Sequence, residues 1–146
     1  MASVLSRLHA LLGALWWGGT TALAFVAVPV LFRHFEQPAL AGAAAAKLFA
    51  AQSVGTVVLG MVAFVLLSRP GVAARPVRGL WAGGMALAVV NQWLVAPLIV
   101  GARASGGNLA LWHGLGSLLI VAQWLTALVL LWRLSSPVLT TQHQGH

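Results

Sequence analysis

The feature that most constrains this chain is a series of four long stretches without a formally charged residue. They cover about residues 8–32, 48–68, 79–101 and 109–132, and each is long enough to cross a bilayer as a helix. Because a backbone in hydrocarbon must satisfy its own hydrogen bonds, helices are favoured there over irregular structure. The sequence therefore predicts an all-α fold, an integral membrane four-helix bundle.

The amino-acid composition of the chain limits the kinds of molecule that it can have as a partner. Only 6% of the 146 residues are charged, against about one quarter in an ordinary soluble domain. The net charge of +7 comes from basic residues scattered at the ends of apolar runs, without the clustered stripe that binds phosphates. We therefore expect a lipid bilayer as partner and no nucleic acid. The absence of cysteine excludes disulfides, thiolate metal sites and cysteine nucleophiles.

The segments outside the four stretches complete a single domain. Residues 1–135 are predicted to form the transmembrane domain, and residues 136–146 a polar C-terminal tail. The start of the chain imitates a signal peptide, but its apolar run continues through FVAVPVLF, so we expect an uncleaved first helix. Five basic residues fall at one end of the predicted helices and three at the other, which favours both termini in the cytoplasm.

An internal repeat relates the two halves of the chain. A shift of 64 residues aligns Trp17 with Trp81, Gly19 with Gly83, and Ala63 with Ala127. One offset for both helix pairs favours two tandem two-helix hairpins in parallel orientation. Chance matching in an alphabet rich in Leu, Ala, Val and Gly is the alternative.

Small residues recur at four-residue spacing on two helices. Ala14, Gly18 and Ala22 follow this spacing on helix 1, and Gly79 and Gly83 follow it on helix 3. Such spacing lets helix backbones approach closely. We expect these residues to pack helices of the same chain together.

Polar and basic residues toward the outer ends of the helices form the candidate site. Polar side chains within a membrane usually face the bundle interior, where they bind a ligand or link helices. His113 and Ser117 are four residues apart and so share one face of helix 4. We predict that His113 faces the interior, with a hydrogen bond to another helix. The candidate pocket near the outer face comprises His113, Ser117, Asn91, Arg33, Lys47 and Gln52.

Three histidines are the candidate metal ligands: His9, His34 and His113. His9 lies near the inner end of helix 1 and His113 near the outer end of helix 4, roughly 25 Å apart by helical rise. These two therefore cannot ligate one haem. His34 and His113 lie at the same level, so haem b between two histidines stays an alternative cofactor.

Five motifs follow one another in the order LHALLGALWWGG, PVLFR, AKLF, NQWLVAP and LWHGLGS. With this order the chain resembles the transmembrane protein 205-like family, also called domain of unknown function 4149, over about residues 8–120. The compact length is similar to that of bacterial members, which implies the bacterial inner membrane. AAQSV after AKLF departs from the animal members, which carry an aromatic stretch with a histidine there. The family's signature residues in this chain would be His9, Gly18, Phe32, Arg33, Lys47, Phe49, Asn91, Pro97, His113, Gly114 and Ser117.

The resemblance implies no particular reaction, and three functions remain open. The sequence contains no acid–base pair, nucleophile constellation or intramembrane charge relay, which disfavours an enzyme. The first interpretation is a binding or accessory subunit of a larger membrane assembly, in contact with other subunits or copies of itself. The second is a transporter or efflux component for a metal or small molecule. The third is a haem- or metal-binding redox protein that uses histidines.

Overall fold

Four long helices, each antiparallel to its sequence neighbours, make up the computed structural model, which describes residues 2–67 and 75–135. Helix α1 consists of Ala2–Thr21, a π-helical segment Ala22–Ala27, and Val28–His34. Helix α2 is Pro38–Leu67. Helix α3 consists of Arg75–Val89, a π-helical segment Val90–Val95, and Ala96–Ser105, and helix α4 is Leu109–Ser135. All four are long and apolar enough to cross a membrane, and the chain is a multi-pass membrane protein.

The helices form a closed bundle in which each helix packs against its sequence neighbours and α1 packs against α4. The α1–α2 and α3–α4 turns lie at the same end, here called the hairpin end. A Cβ placed on Gly42, in the first turns of α2, would lie 3.1 Å from Nη2 of Arg103, near the end of α3. The opposite end, which carries the start of α1 and the end of α4, is called the terminal end.

Local signals explain where the helices stop and start. Gly106 adopts a φ of 69°, which favours glycine, and the amide of Gly107 donates to the carbonyl of Ala102 at 2.9 Å, closing α3. The side chain of Asn108 accepts the amide of Leu111 at 3.0 Å and so caps the start of α4. At the terminal end, the Arg78 guanidinium donates to the last carbonyl of α2.

The helices are longer than the uncharged stretches of the sequence. Helix α2 begins at Pro38, because the alanine-rich segment before Lys47 favours a helix and proline suits a first helical turn. Helix α1 already includes Ala2. The predicted polar tail, residues 136–146, lies outside the described residues.

The two halves of the bundle correspond at a different offset from the one predicted. The buried residues of α1 are His9, Gly13, Trp16 and Thr20, and a shift of 68 places them on Val77, Trp81, Gly84 and Ala88, which are also buried. The π-helical segments start at Ala22 and Val90, which differ by the same 68 residues. The predicted offset of 64 would instead pair half-buried Trp17 with buried Trp81. The burial pattern thus supports an offset of 68 for α1 and α3, whereas buried Thr56, Gly60 and Ala63 of α2 fall on buried residues of α4 at an offset of 67.

The glycines that make room for side chains of neighbouring helices are not the predicted ones. A Cβ on Gly84 would collide with the indole of Trp16, and one on Gly60 would collide with the side chain of Met85. A Cβ on Gly18, Gly79 or Gly83 would have no heavy atom within 4 Å. The expectation that these three glycines pack helices of the same chain together is therefore wrong.

Candidate functional site

Buried polar side chains meet halfway along the bundle. Thr20 lies 14 residues before the end of α1 at His34, and Gln123 lies 14 residues after the start of α4 at Leu109. At a rise of 1.5 Å per residue, both are about 21 Å from the hairpin end, at the middle of a membrane-spanning helix. We define the midplane layer as Trp16, Thr20, Gln52, Thr56 and Gln123.

Hydrogen bonds join the midplane layer across three helices. The amide nitrogen of Gln52 donates to Oγ1 of Thr20 at 2.7 Å and to Oγ1 of Thr56 at 3.3 Å. Oε1 of Gln123 is 3.5 Å from Nε1 of Trp16 and 3.4 Å from Oγ1 of Thr56, and both of these groups can donate to it. The layer thus connects α1, α2 and α4 through neutral groups.

Helical spacing brings these side chains to the inward faces. Trp16 and Thr20 are four residues apart on α1, and Gln52 and Thr56 are four apart on α2. Each threonine hydroxyl also lies within hydrogen-bond distance of the carbonyl four residues before it, at 2.8 Å for Thr20 and 3.0 Å for Thr56. A threonine can satisfy itself in this way inside a membrane helix and still accept a bond from a neighbour.

Trp16 of the midplane layer packs against a second tryptophan, Trp81, on the terminal side of the layer. The rings of Trp16 and Trp81 are stacked with centroids 5.3 Å apart, and both side chains are fully buried. Gly84 provides the space, since any side chain there would collide with Trp16. Within the described part of the chain, three buried N–H groups have no hydrogen-bond partner: Gln123 Nε2, Trp81 Nε1 and Trp17 Nε1.

A second aromatic group lies on the side of the bundle between α1 and α4. Nε1 of Trp124 donates to Oγ1 of Thr21 at 2.8 Å, and that hydroxyl donates to the carbonyl of Trp17 at 2.7 Å. Trp17 and Phe25 both contact the ring of Trp124. These contacts fix the rotation of α1 relative to α4. None of these side chains belongs to the midplane layer.

The two π-helical segments begin next to the layer, in the direction of the hairpin end. Each segment is followed, two residues after its end, by a proline: Pro29 in α1 and Pro97 in α3. A proline lacks the N–H of the helical ladder, and its ring clashes with the carbonyl four residues earlier in an α-helix. A π-helical turn changes this local geometry, and such turns occur frequently at functional sites.

The comparison with protein families identifies the chain. A family model described as "Domain of unknown function (DUF4149)" matches residues 11–108. The chain belongs to this family. The match includes both π-helical segments and the stacked tryptophans, whereas Gln123 lies beyond it. No curated protein and no solved structure matches the chain. The transmembrane protein 205-like name and a bacterial origin stay predictions.

In this DUF4149 protein, the six predicted pocket residues do not form one buried site. Gln52 belongs to the midplane layer, and Asn91 is buried on α3, with Oδ1 3.4 Å from a Cβ placed on Gly116. The other four are exposed: Arg33, Lys47, His113 and Ser117. The buried polar groups therefore meet at the middle of the bundle instead of near the predicted outer face.

The predicted inward orientation of His113 is wrong. The inward face of α4 is formed by Gly116, Gln123, Ala127 and Leu130, and His113 is exposed. Ser117 donates to the carbonyl of His113 at 2.9 Å and makes no link toward Asn91. His113 lies only four residues from the start of α4, about 6 Å along its axis, so an outward imidazole can reach the water of the interface.

The three candidate metal ligands lie in different environments. His9 is buried near the terminal end, with Nδ1 2.8 Å from the carbonyl oxygen of Leu5 and Nε2 3.4 Å from that of Ala63. His34 is exposed and meets the ring of Phe35 edge-on at the hairpin end. In the ranges 2–67 and 75–135, no three His, Cys, Asp or Glu side chains are grouped as a metal site. His9 thus lies between backbone carbonyls of α1 and α2, and with a single ring N–H it donates to only one of them.

The sequence interpretation missed most of the midplane layer. Trp16, Thr20, Thr56 and Gln123 were not among the candidate pocket residues. One signal available in the sequence was the depth of these residues in the bundle. Polar residues of different helices that are equally far from the connecting turns must lie at the same depth. A second signal was the complementary placement of Trp16 and Gly84 in the two halves.

Proposed function

We propose that this protein binds a small uncharged polar molecule in the midplane layer. The observation that carries the proposal is the amide nitrogen of Gln123, which is fully buried and has no hydrogen-bond partner among the described residues. A buried donor without an acceptor costs about 1–3 kcal/mol. A bound molecule that accepts this hydrogen bond would remove the cost.

Association of the helices explains only some of the hydrogen-bonding groups in the midplane layer. The bond from Gln52 to Thr20 links α1 to α2 and needs no ligand. Gln123 and Trp81, in contrast, present unpaired N–H groups, and both side chains contact Trp16. The layer itself contains only neutral side chains, so the molecule that suits it is uncharged.

Ligand-dependent stabilisation tests the proposal. Purified protein in lipid nanodiscs is heated with increasing cyclohexanone or cyclohexanol, two uncharged polar probes that enter bilayers. We expect a saturable rise in Tm for the native chain, because a ligand of the folded state stabilises it. Gln123→Met, which removes the amide at similar length, should lose the saturable part, and Leu125→Met on the exposed face of α4 should keep it. Equal responses from all three proteins would contradict the proposal.

Transport of the bound molecule is a second candidate, and the matched π-helical segments favour it. Interrupted helices at corresponding positions of two repeats commonly mark substrate sites near the bilayer midplane. Proteoliposomes would be exposed to an osmotic step of N,N-dimethylacetamide and their re-swelling followed by light scattering. Re-swelling faster than that of Gln123→Met liposomes supports transport, and equal rates leave binding as the sole role.

An accessory role in a larger assembly is a third candidate. Gly18, Gly79 and Gly83 present open backbone on the outside of the bundle, where another membrane helix could approach closely. Native mass spectrometry of complexes extracted from the membrane would reveal added subunits or copies of this chain. A monomer under all extraction conditions would oppose this role.

The cytoplasmic location of both termini also stays a proposal. The excess of basic residues at the terminal end supports it. In cells with an intact inner membrane, a membrane-impermeant thiol reagent should label Gly106→Cys at the hairpin end and spare Ser6→Cys. The reverse pattern would invert the topology.

A further inference from the structure

We infer that the midplane layer selects an uncharged hydrogen-bond acceptor, such as a ketone or ester carbonyl, over an alcohol or amine of the same shape. This inference rests on the proposed function and adds the chemical class of the ligand. It follows from a comparison of the polar atoms in the layer that already have a hydrogen-bond partner with those that have none.

The three fully buried side-chain oxygens of the layer, those of Thr20, Thr56 and Gln123, already face hydrogen-bond donors, whereas Oε1 of half-buried Gln52 lies beside Gly19. Oε1 of Gln123 faces the indole N–H of Trp16 and the hydroxyl of Thr56, whose one proton goes either to Gln123 or to the carbonyl of Gln52. Oγ1 of Thr20 and Oγ1 of Thr56 both face the amide nitrogen of Gln52. A ligand that brings another donor would compete with these bonds.

The groups left over are N–H donors. Gln123 Nε2 and Trp81 Nε1 are buried and unpartnered, and both residues contact Trp16, one by a hydrogen bond and one by ring stacking. The orientation with Oε1 toward Trp16 and Thr56 is favoured, because reversing the Gln123 amide would leave both Trp16 Nε1 and Oε1 of Gln123 without a partner. In the favoured orientation the unpartnered buried groups are N–H donors.

The charge of the layer and the kind of hydrogen-bonding groups that lack a partner together define the chemical class of the ligand. A bound anion would need a cation at the same depth, and the layer contains only Trp, Thr and Gln side chains. An alcohol could accept from Gln123, but its own hydroxyl proton would lack an acceptor, which weakens binding by about tenfold. The indole faces of Trp16 and Trp81 suit an apolar body attached to the carbonyl.

The test compares three probes of similar shape in nanodiscs: cyclohexanone, cyclohexanol and methylcyclohexane. Saturable stabilisation is measured at matched membrane concentrations, and infrared spectroscopy follows the carbonyl stretch of cyclohexanone, which moves to lower frequency when the oxygen accepts a hydrogen bond. We expect cyclohexanone to bind about tenfold more tightly than cyclohexanol. Methylcyclohexane should give no saturable effect.

Two variants remove single donors and keep most of the packing. Trp81→Phe retains an aromatic ring without the N–H, and Gln123→Met removes the amide. Each should lose the shifted carbonyl band, whereas Trp93→Phe, an exposed tryptophan on α3, should keep it. Tighter or equal binding of cyclohexanol that still depends on Gln123 would overturn the inference and leave the proposed function intact. No Gln123-dependent binding of any probe would overturn both.

Discussion

The first helices of the two hairpins bury corresponding positions but fill two of these positions with side chains of opposite size. In the first hairpin the buried pair on α1 is Gly13 and Trp16, and in the second the corresponding pair on α3 is Trp81 and Gly84. Trp16 occupies the space over Gly84 and stacks on Trp81. Similar backbones therefore support a core in which a large residue of one half fits a small residue of the other.

The polar groups of the two hairpins differ in a related way. The first hairpin supplies two threonine hydroxyls, which donate to their own helix and accept from Gln52. The second supplies the amide of Gln123, at the position that corresponds to Thr56 by an offset of 67. The unpartnered amide nitrogen of Gln123 arises from this difference.

The largest effect should come from filling the space at Gly84. Gly84→Ala places a methyl group where Trp16 lies, and overpacking of this kind destabilises by about 3 kcal/mol. The control is Gly83→Ala, whose Cβ meets no atom within 4 Å and which should lose no stability. The free energy of unfolding is measured by denaturation in mixed detergent micelles. Equal effects at the two glycines would break the proposed size complementarity.

A smaller loss should follow from breaking the bond between α1 and α2. Gln52→Met removes the donor to Thr20 and preserves length and apolar contacts. Hydrogen bonds between membrane helices contribute about 0.6 kcal/mol on average, with a maximum near 1.7, so we expect about 1 kcal/mol. The double variant with Thr20→Val should lose little more than either single variant. Additive losses would show that the two side chains do not act on each other.

The matched π-helical segments can be tested through their prolines. Pro29→Ala and Pro97→Ala each restore a backbone donor and remove the ring clash, so both segments should return to α-helical hydrogen bonding. We expect similar backbone chemical-shift changes in the two hairpins and changes in unfolding free energy of about 1 kcal/mol or less. Pro38→Ala at the first turn of α2 is the control and should leave both segments unchanged. A response in one hairpin alone would show that the halves are not equivalent there.

The sequence predicted the architecture well, for physical reasons. Four uncharged stretches of membrane length can form little else than a helical bundle, and the structure has four such helices. The offset of the repeat was missed, because identical letters are common in an alphabet of small apolar residues. Burial decides the offset, and burial depends on how each helix rotates about its axis.

The candidate site was predicted less well for the same reason. Depth along a helix can be counted from the sequence, but rotation follows from packing of residues far apart in the chain. Gly84 and Trp16 set how close α3 approaches α1, and neither residue carries a polar signal. The interpretation therefore favoured His113, which is polar and conspicuous, over Gln123, which lies about three turns deeper within an ordinary apolar run.

The smallest effect is expected at the histidine of the second hairpin. His113 is exposed near the start of α4, so His113→Leu removes no described interhelical bond and should change the unfolding free energy by about 0.5 kcal/mol or less. His9 of the first hairpin gives the contrast. It is only 2% exposed and lies 2.8 Å from the carbonyl oxygen of Leu5, so His9→Leu should cost about 1 kcal/mol. Both variants are measured in the same micelles. A larger loss for His113→Leu than for His9→Leu would mean that the imidazole of His113 has a buried partner, as the sequence alone suggested, and that the rotation of α4 described here is wrong.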